Sequence, residues 1–391
     1  MSTLKVDAIR HNSATSDAIT TAADGTCTAK LTSVGGGQLS NRNLIINGAM
    51  MVAQRGVTST VSGFGSVDRF RLMFGGQDEA LTQAQHTLST SDTPYSLGFR
   101  YSFHITNGNQ TSGAGGTDYA QLLTTIEAQD IASSGWNYTS SSSFITLSFW
   151  VKSSVAQNFY GAVRTQDGTV RSFPFETGSL TADTWKKVII KIPGDSSNTF
   201  NNDNGAGLQI FMWAFRGTDY TGSVTLNQWN TWNTSTGTPD FTSTWWTTND
   251  ATLEFTGYQL EVGDTATSFE HRSAGDELSR CQRYFYKVTG DSGDRVGIGG
   301  CCVNSIEFRM NVTFPTTMRA LPTIGGTGTA QMDAENDSAD FNCSALTIES
   351  APTGLISCLG LQAVTSSMTG GQGGNLRFRS DGSSITFDAE L

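Results

Sequence analysis

Four closely spaced tryptophans are the residues of this sequence best suited to bind a ligand. They are Trp229, Trp232, Trp245 and Trp246, so half of the chain's eight tryptophans fall between positions 229 and 246. The surrounding stretch is rich in Thr, Ser, Asn and Gly, the composition of a loop. Indole rings stack on the C–H faces of sugars, while amides and hydroxyls bond sugar hydroxyl groups. The cluster therefore predicts a glycan-binding surface, or else indoles that pin a long loop to the fold or line an oligomer interface.

Carboxylates and histidines give a much weaker indication of chemistry. Glu127 and Asp130 are the nearest approach to an acid pair, in a segment, residues 118–131, that we expect to contain a helical turn. Glycoside hydrolysis requires two carboxylates at a defined separation, which closeness in sequence does not provide. The histidines lack metal-ligand spacing and the six cysteines lack a CxxC pair. We expect a structural role for both acids and predict no catalytic residue, cofactor or metal site from these residues.

The composition favours an all-β protein with several cores. The chain has 391 residues, of which 15% are charged, with 43 glycines and only 7 prolines. Such a chain predicts many short strands joined by polar turns. Its net charge of −11 and the lack of a basic stripe argue against nucleic-acid binding. No long apolar run or signal peptide is recognisable, so we expect synthesis in a cytoplasm, no classical export and no membrane insertion.

Strand patterns divide most of the chain into two β domains. Residues 147–152 and 185–192 alternate between apolar and polar, whereas residues 208–215 are apolar on both faces, as in a central strand. These patterns predict a jelly-roll β-sandwich over residues 41–272. A distal β-sandwich tip domain is predicted for residues 289–391, which end in a hairpin pattern around Asp381.

A short helix is predicted to link the two domains over residues 273–288. Ser273 is suited to cap it, and Leu278, Cys281 and Phe285 form an apolar stripe. The stripe predicts either packing on a sheet of the same chain or a seam about a threefold axis in a homotrimer.

The first 40 residues are predicted to form a segment of a different kind. They contain no aromatic residue and too little apolar material for a core of their own. They would be either a disordered tail or an anchor that becomes ordered against a partner. The apolar residues of such an anchor are Leu4, Val6, Ile9 and Ile19.

Several segments resemble bacteriophage tail-fibre and related virion-appendage proteins. Residues 43–56 read NLIINGAMMVAQRG, residues 257–263 read GYQLEVG, and residues 277–287 read ELSRCQRYFYK. The FPTTMRALP segment at 314–322 and the final DAEL are similar to fibre sequences as well. This resemblance implies a homotrimeric, non-enzymatic virion protein, attached by its N-terminal segment to a tail or capsid adaptor and contacting host-surface polysaccharide.

Residues 43–270 also resemble carbohydrate-binding modules of the galactose-binding-like type, through the WKKVI strand at 185–189 and the closing strand at 252–262. That resemblance allows at most a Ca²⁺ ion held by loop carboxylates, with Asp264 as the candidate ligand. Two alternatives to a tail fibre remain open. One is a capsid-mounted or tail structural protein without a host ligand, and the other is a polysaccharide-degrading enzyme.

Overall fold

The computed structural model describes residues 6–10, 12–23, 25, 27–29, 41–326, 332–336, 339–350 and 356–391. Within these ranges the predicted all-β fold is confirmed: the chain forms several antiparallel sheets and three short α-helices. The helices are α1 (Ala128–Ala132), α2 (Thr244–Thr247) and α3 (Ala274–Gln282). No helix among the described residues is long and apolar enough to cross a lipid bilayer.

Two six-stranded antiparallel sheets pack face to face as the predicted sandwich. The first, here called the front sheet, has the strand order β14 (Asn230–Thr231), β11 (Arg171–Glu176), β10 (Tyr160–Thr165), β13 (Ala206–Arg216), β8 (Tyr119–Glu127) and β5 (Phe70–Gly75). The second, the back sheet, has the order β12 (Lys186–Pro193), β9 (Phe144–Ser153), β15 (Thr252–Val262), β7 (Tyr101–Thr106), β6 (Thr82–Thr87) and β4 (Thr58–Ser59).

The core of the sandwich explains why β13 is apolar on both of its faces. Leu208, Ile210 and Met212 belong to the core between the sheets, which also contains aromatic rings of the back sheet. Phe211 and Trp213 alternate with them and belong to a separate apolar cluster on the outer face of the front sheet. A strand with two buried faces needs a cover on its outer side, and the segment between β13 and β15 provides part of it.

The C-terminal part of the chain forms a second β unit with its own apolar core. A three-stranded sheet has the order β16 (Phe285–Gly290), β25 (Ser383–Asp388) and β19 (Thr323–Gly326). A seven-stranded sheet has the order β21 (Ala339–Asn342), β20 (Met332–Asn336), β24 (Gly373–Phe378), β17 (Arg295–Cys302), β18 (Glu307–Met318), β23 (Ile356–Val364) and β22 (Ala345–Ser350).

The linking helix is shorter than the sequence indicates. The Ser273 side chain caps α3 as predicted, by accepting a hydrogen bond from the Asp276 backbone N–H. The helix ends at Gln282, however, and residues 285–290 form a strand paired with β25, so the predicted extent to residue 288 is wrong. The aromatic and β-branched residues after position 284 favour a strand once a partner strand is present.

The predicted seam residues face different environments. Cys281 and Phe285 are buried within the chain, whereas Leu278 is 37% exposed. Cys281 and Phe285 therefore pack within their own chain, which is the first of the two alternatives given above for the stripe. Of the three residues, only Leu278 is accessible to a second copy.

Charged side chains connect the sandwich to the C-terminal unit. The Arg69 guanidinium, buried at the start of the front sheet, pairs with Glu390 and lies over the Tyr284 ring. Arg55 pairs with the same carboxylate and with Asp388, at 2.9 Å. Residues far apart in sequence therefore share one buried ionic junction.

The N-terminal residues form a small sheet of β1 (Ala8–Ile9), β2 (Ile19–Thr21) and β3 (Cys27–Ala29). Val6 and Ile9 are exposed and Ile19 is half-buried, while Leu4 lies outside the described residues. Exposed apolar residues are what an anchor would present to a partner, and that role stays a prediction.

Candidate functional site

The four clustered tryptophans do not share one surface. Trp245 and Trp246 lie on α2 and are fully buried in the sandwich core. Trp246 stacks on Phe215 with ring centroids 5.1 Å apart, and its indole N–H donates to the Gly113 carbonyl. The prediction that these two indoles bind sugar is therefore wrong, because neither ring is accessible. They do what the alternative interpretation says, fastening a loop to the core.

Trp229 is also largely buried. Its indole N–H donates to the Pro193 carbonyl at 2.7 Å, and its ring meets Phe173 edge to face. This side chain closes one end of the core, so it is a poor candidate for ligand contact.

Trp232 is the tryptophan of the cluster that lines an open cavity. The cavity lies on the outer face of the front sheet, with a volume of about 290 Å³, near the lower end for small-molecule sites. We call it the Trp232 groove, and its lining is rich in aromatic and hydrogen-bonding side chains: Tyr119, Gln121, Arg164, Phe211, Trp213, Arg216, Tyr220, Trp232 and Thr234.

Strand alternation builds the floor of the groove. Phe211 and Trp213 point outward from β13 and their rings stack with centroids 5.3 Å apart and planes at 7°. On β8, Gln121 is the cross-strand partner of Trp213 and accepts its indole N–H at 2.9 Å. The Phe211 and Trp213 rings, 3% and 1% exposed, form a rigid base on the strands, and the half-buried Trp232 packs against them.

Two arginines flank the Trp232 ring. The Arg164 guanidinium carbon is 4.8 Å from the ring centroid and that of Arg216 is 5.3 Å away. Arg164 also lies over Phe211 and Arg216 over Trp213, so each cation bridges the floor and the wall of the groove.

Hydrogen bonds hold the two arginines only in part. Arg164 Nη2 donates to the Gln209 side-chain oxygen at 2.7 Å, and Arg216 Nη2 donates to the Thr234 carbonyl at 3.0 Å. Arg164 Nε and Arg216 Nη1 are buried and have no hydrogen-bond partner. Within the described part of the chain, neither guanidinium has a carboxylate within ion-pair distance.

Burial governs the acid–base behaviour of both groups. It lowers the pKa of Arg164 and of Arg216 to about 10, and the charge of Arg164 adds to the lowering at Arg216. A guanidinium remains protonated at neutral pH. The groove therefore holds two positive charges in a protein whose net charge is −11.

The lack of a side chain at Gly237 lets Arg216 and Trp232 pack close to the backbone at this position. A Cβ atom at this position would lie 2.5 Å from Arg216 Nη1 and 2.7 Å from the Trp232 ring. No real Cβ atom has such close contacts, so a larger residue would displace one or both side chains.

The sequence singled out one wall residue of this groove and missed its floor. Phe211 and Trp213 were recognisable as part of a strand with two apolar faces, and this is the signal that points to a covered outer face. Nothing in the sequence places Arg164 opposite them, because the pairing of β10 with β13 is a tertiary feature.

The predicted acid pair has a structural role at the domain junction. Glu127 ends β8, so most of the segment expected to be helical is a strand, with only α1 after it. The Glu127 carboxylate accepts hydrogen bonds from Arg283 Nε and Nη2, both at 2.8 Å, and from the Tyr284 hydroxyl. Burial alone would raise the pKa of Glu127, but these hydrogen bonds and the charge of Arg283 bring it below its ordinary value. For Asp130, burial and the charge of Glu127 raise the pKa.

Two histidines that are isolated in sequence meet on the back sheet. His86 Nδ1 and His104 Nδ1 lie 3.3 and 3.5 Å from the two oxygens of the buried Glu254 carboxylate. These three residues are the one group of metal-ligand type among the described residues. Lys152 Nζ already lies 2.9 Å from Glu254 Oε1 and supplies positive charge there. Burial would raise the pKa of Glu254, but hydrogen bonds and charges from His104 and Lys152 lower it to about 2.

Asp264, the candidate calcium ligand, has a lysine partner. Its carboxylate is 3.2 Å from Lys191 Nζ, and the hydrogen bond and charge of that lysine lower the pKa of Asp264. Asp264 is not part of any metal-ligand group among the described residues.

Comparisons with known proteins assign no family. No protein-family model matches the sequence, and no curated protein matches it. Solved structures with some similarity include the CBM22-1–GH10 modules of Clostridium thermocellum endo-1,4-β-D-xylanase 10B complexed with xylohexaose. That match is 10% identical in sequence, covers 56% of this chain and 29% of the other chain, and has a TM-score of 0.26.

Two further matches are single modules. One is the family 11 carbohydrate-binding module of Clostridium thermocellum in complex with a β-1,3-1,4-mixed-linked tetrasaccharide. It is 11% identical in sequence, the match covers 55% of this chain and 98% of the module, and the TM-score is 0.24. The other is the N-terminal cellulose-binding domain of Cellulomonas fimi β-1,4-glucanase C. It is 9% identical in sequence, the match covers 55% of this chain and 99% of the domain, and the TM-score is 0.25. Similarity at this level does not assign a function, which has to come from the groove itself.

Proposed function

We propose that this protein is a non-enzymatic glycan-binding protein and that the Trp232 groove is its binding site. The observation that carries the proposal is an open cavity with the half-buried Trp232 indole in its wall, supported by a rigid aromatic base and set among amide, hydroxyl and guanidinium donors. Aromatic faces take the apolar faces of a sugar ring, and the polar groups around them select its hydroxyl pattern.

The engagement of Glu127 supports a non-enzymatic role. A glycosidase acid must exchange a proton with its substrate, whereas this carboxylate is buried and held by Arg283 and Tyr284. It is thus unsuited to serve as one member of an acid pair with Asp130.

A binding assay with matched variants tests the proposed site. The purified chain would be screened on an array of bacterial surface polysaccharides, alongside Trp232→Ala and Tyr95→Ala. Tyr95 is a suitable control because it is a half-buried ring beneath an arginine, Arg100, with the guanidinium carbon 4.0 Å from its centroid, and it lies outside the groove. We expect Trp232→Ala to lose binding and Tyr95→Ala to retain it. Equal binding by all three proteins would refute the site.

We further propose that the glycan site belongs to a virion appendage, a phage tail fibre that contacts the host surface during adsorption. The sequence segments at 43–56, 277–287 and 314–322 support this role. On a particle with many copies, weak contacts at each groove would add up through avidity. Cryo-EM of the particle that carries this chain would test the role. Projecting fibres held by the N-terminal segment are expected, and density lying flat on the capsid would favour a structural protein instead.

A homotrimer is part of this proposal. Leu278 is the exposed apolar residue on the helix that would face a second copy. Sedimentation velocity should give three times the 41.8 kDa of one chain. A single-chain mass at micromolar concentration would remove the trimer from the proposal and leave the groove unaffected.

A further inference from the structure

The two arginines of the Trp232 groove have no carboxylate partner among the described residues, unlike several other cations that the fold buries. Arg69, Arg272 and Arg283 each pair with a glutamate carboxylate. Arg216 is only 6% exposed, yet no carboxylate among the described residues lies within ion-pair distance of it or of Arg164. A buried charge without an opposite charge beside it is costly.

Unused hydrogen-bond donors point the same way. Arg216 Nη1 is buried in the wall of the groove and bonds to nothing, while Nη2 of the same group donates to the Thr234 carbonyl. Both guanidinium groups line the groove, and an acceptor that carries negative charge matches them best, because charge-assisted hydrogen bonds are the stronger ones.

The two cations also repel one another across the Trp232 ring. Arg164 contributes to the lowered pKa of Arg216 through its charge, so the groups are close enough to interact electrostatically. An anion bound beside both would remove that repulsion and supply the missing counter-charge.

We infer that the Trp232 groove selects a sugar residue bearing a carboxylate, with Arg164 and Arg216 receiving the anionic group and the half-buried Trp232 ring packing against the sugar. This inference rests on the proposed glycan-binding function and narrows its ligand from glycans in general to acidic glycans. The planar guanidinium matches a carboxylate in shape and can bond both of its oxygens.

Paired polysaccharides test the inference. The full chain would be titrated with a panel of polysaccharides containing uronic acid, each beside its carboxyl-reduced neutral form. We expect the acidic form to bind at least about tenfold more tightly, and the difference to shrink as NaCl is raised. The double variant Arg164→Gln, Arg216→Gln should bind both forms alike, whereas the control Arg100→Gln, which removes an arginine from another aromatic ring, should keep the preference.

The outcomes separate the two proposals. Equal binding of acidic and neutral forms by the unmodified chain would overturn the acidic-ligand inference and support the proposed function. A preference that survives in the double variant would overturn the assignment to these arginines. Binding of neither form would overturn both proposals. If the double variant does not fold, the salt dependence of the acidic preference in the unmodified chain still decides, because a preference that is insensitive to NaCl contradicts the inference.

Discussion

Arg283 meets Glu127 side-on, with Nε and Nη2 each 2.8 Å from a different carboxylate oxygen. The arginine follows the last residue of α3, and the glutamate ends the strand β8 of the front sheet. One bidentate pair therefore fixes the helix to the sandwich, and the carboxylate that sequence offers as a catalytic acid serves instead as a structural anchor.

Removing the charge of Glu127 should weaken this attachment. In Glu127→Gln, the guanidinium of Arg283 loses its buried partner, which is expected to lower the free energy of unfolding by roughly 2–4 kcal/mol. Urea unfolding followed by tryptophan fluorescence would measure the loss. Asp264→Asn is the matched control, since it breaks the exposed pair with Lys191 and should leave the midpoint unchanged. An unchanged midpoint in Glu127→Gln would contradict the anchoring role.

Acid should destabilise the protein through Glu254. The folded-state pKa of this carboxylate is about 2, below the ordinary value of 4.5, so its contribution to stability is present above pH 4.5 and is lost as the pH falls towards 2. The full loss amounts to about 3 kcal/mol. Urea midpoints measured from pH 6 to pH 2 should fall less steeply in Glu254→Gln than in the unmodified chain. Parallel curves would mean that Lys152 and His104 do not stabilise the charged form.

Two tryptophans of the cluster should lose different amounts of stability on truncation. Trp246→Ala leaves a large cavity in the core and is expected to cost about 3–5 kcal/mol of stability. Trp232→Ala removes a half-buried ring from the groove, and its stability should drop by only about 1–2 kcal/mol. Thermal and urea unfolding of the two variants would show the contrast, and similar losses would argue against an open position for Trp232.

A methyl group at position 237 should disturb the groove without removing a ligand contact. Gly237→Ala places a Cβ atom against Trp232 and Arg216, so glycan affinity should fall about tenfold while the fold is retained. Gly275→Ala is the control, because its Cβ atom meets nothing within 4 Å. Affinity measurements and circular dichroism of both variants would check this. Unchanged affinity in Gly237→Ala would contradict the prediction that glycan binding depends on the close packing of Trp232 and Arg216 at this position.

Sequence patterns indicated the architecture better than the site. Alternation and turn residues predict the sandwich because each strand reports its own burial, as residues 208–215 do. The extent of α3 could not be predicted, since the pairing of residues 285–290 with β25 overrides a helical apolar spacing. Composition likewise grouped Trp232 with Trp246, although one lies on the surface and the other in the core. Which side of a sheet a loop covers depends on contacts between distant segments.

Arg69 and Glu390 are paired across 321 positions of sequence. Bringing such distant segments together demands a large loss of chain entropy, so this contact is expected to form late in folding, after the strands between them have paired. Until then Arg69 lacks its carboxylate partner and the Tyr284 ring that covers it. A chain that misfolds in the intervening stretch would leave the sandwich without that carboxylate beside Arg69. The ionic junction thus makes the completion of one β unit conditional on the completion of the other.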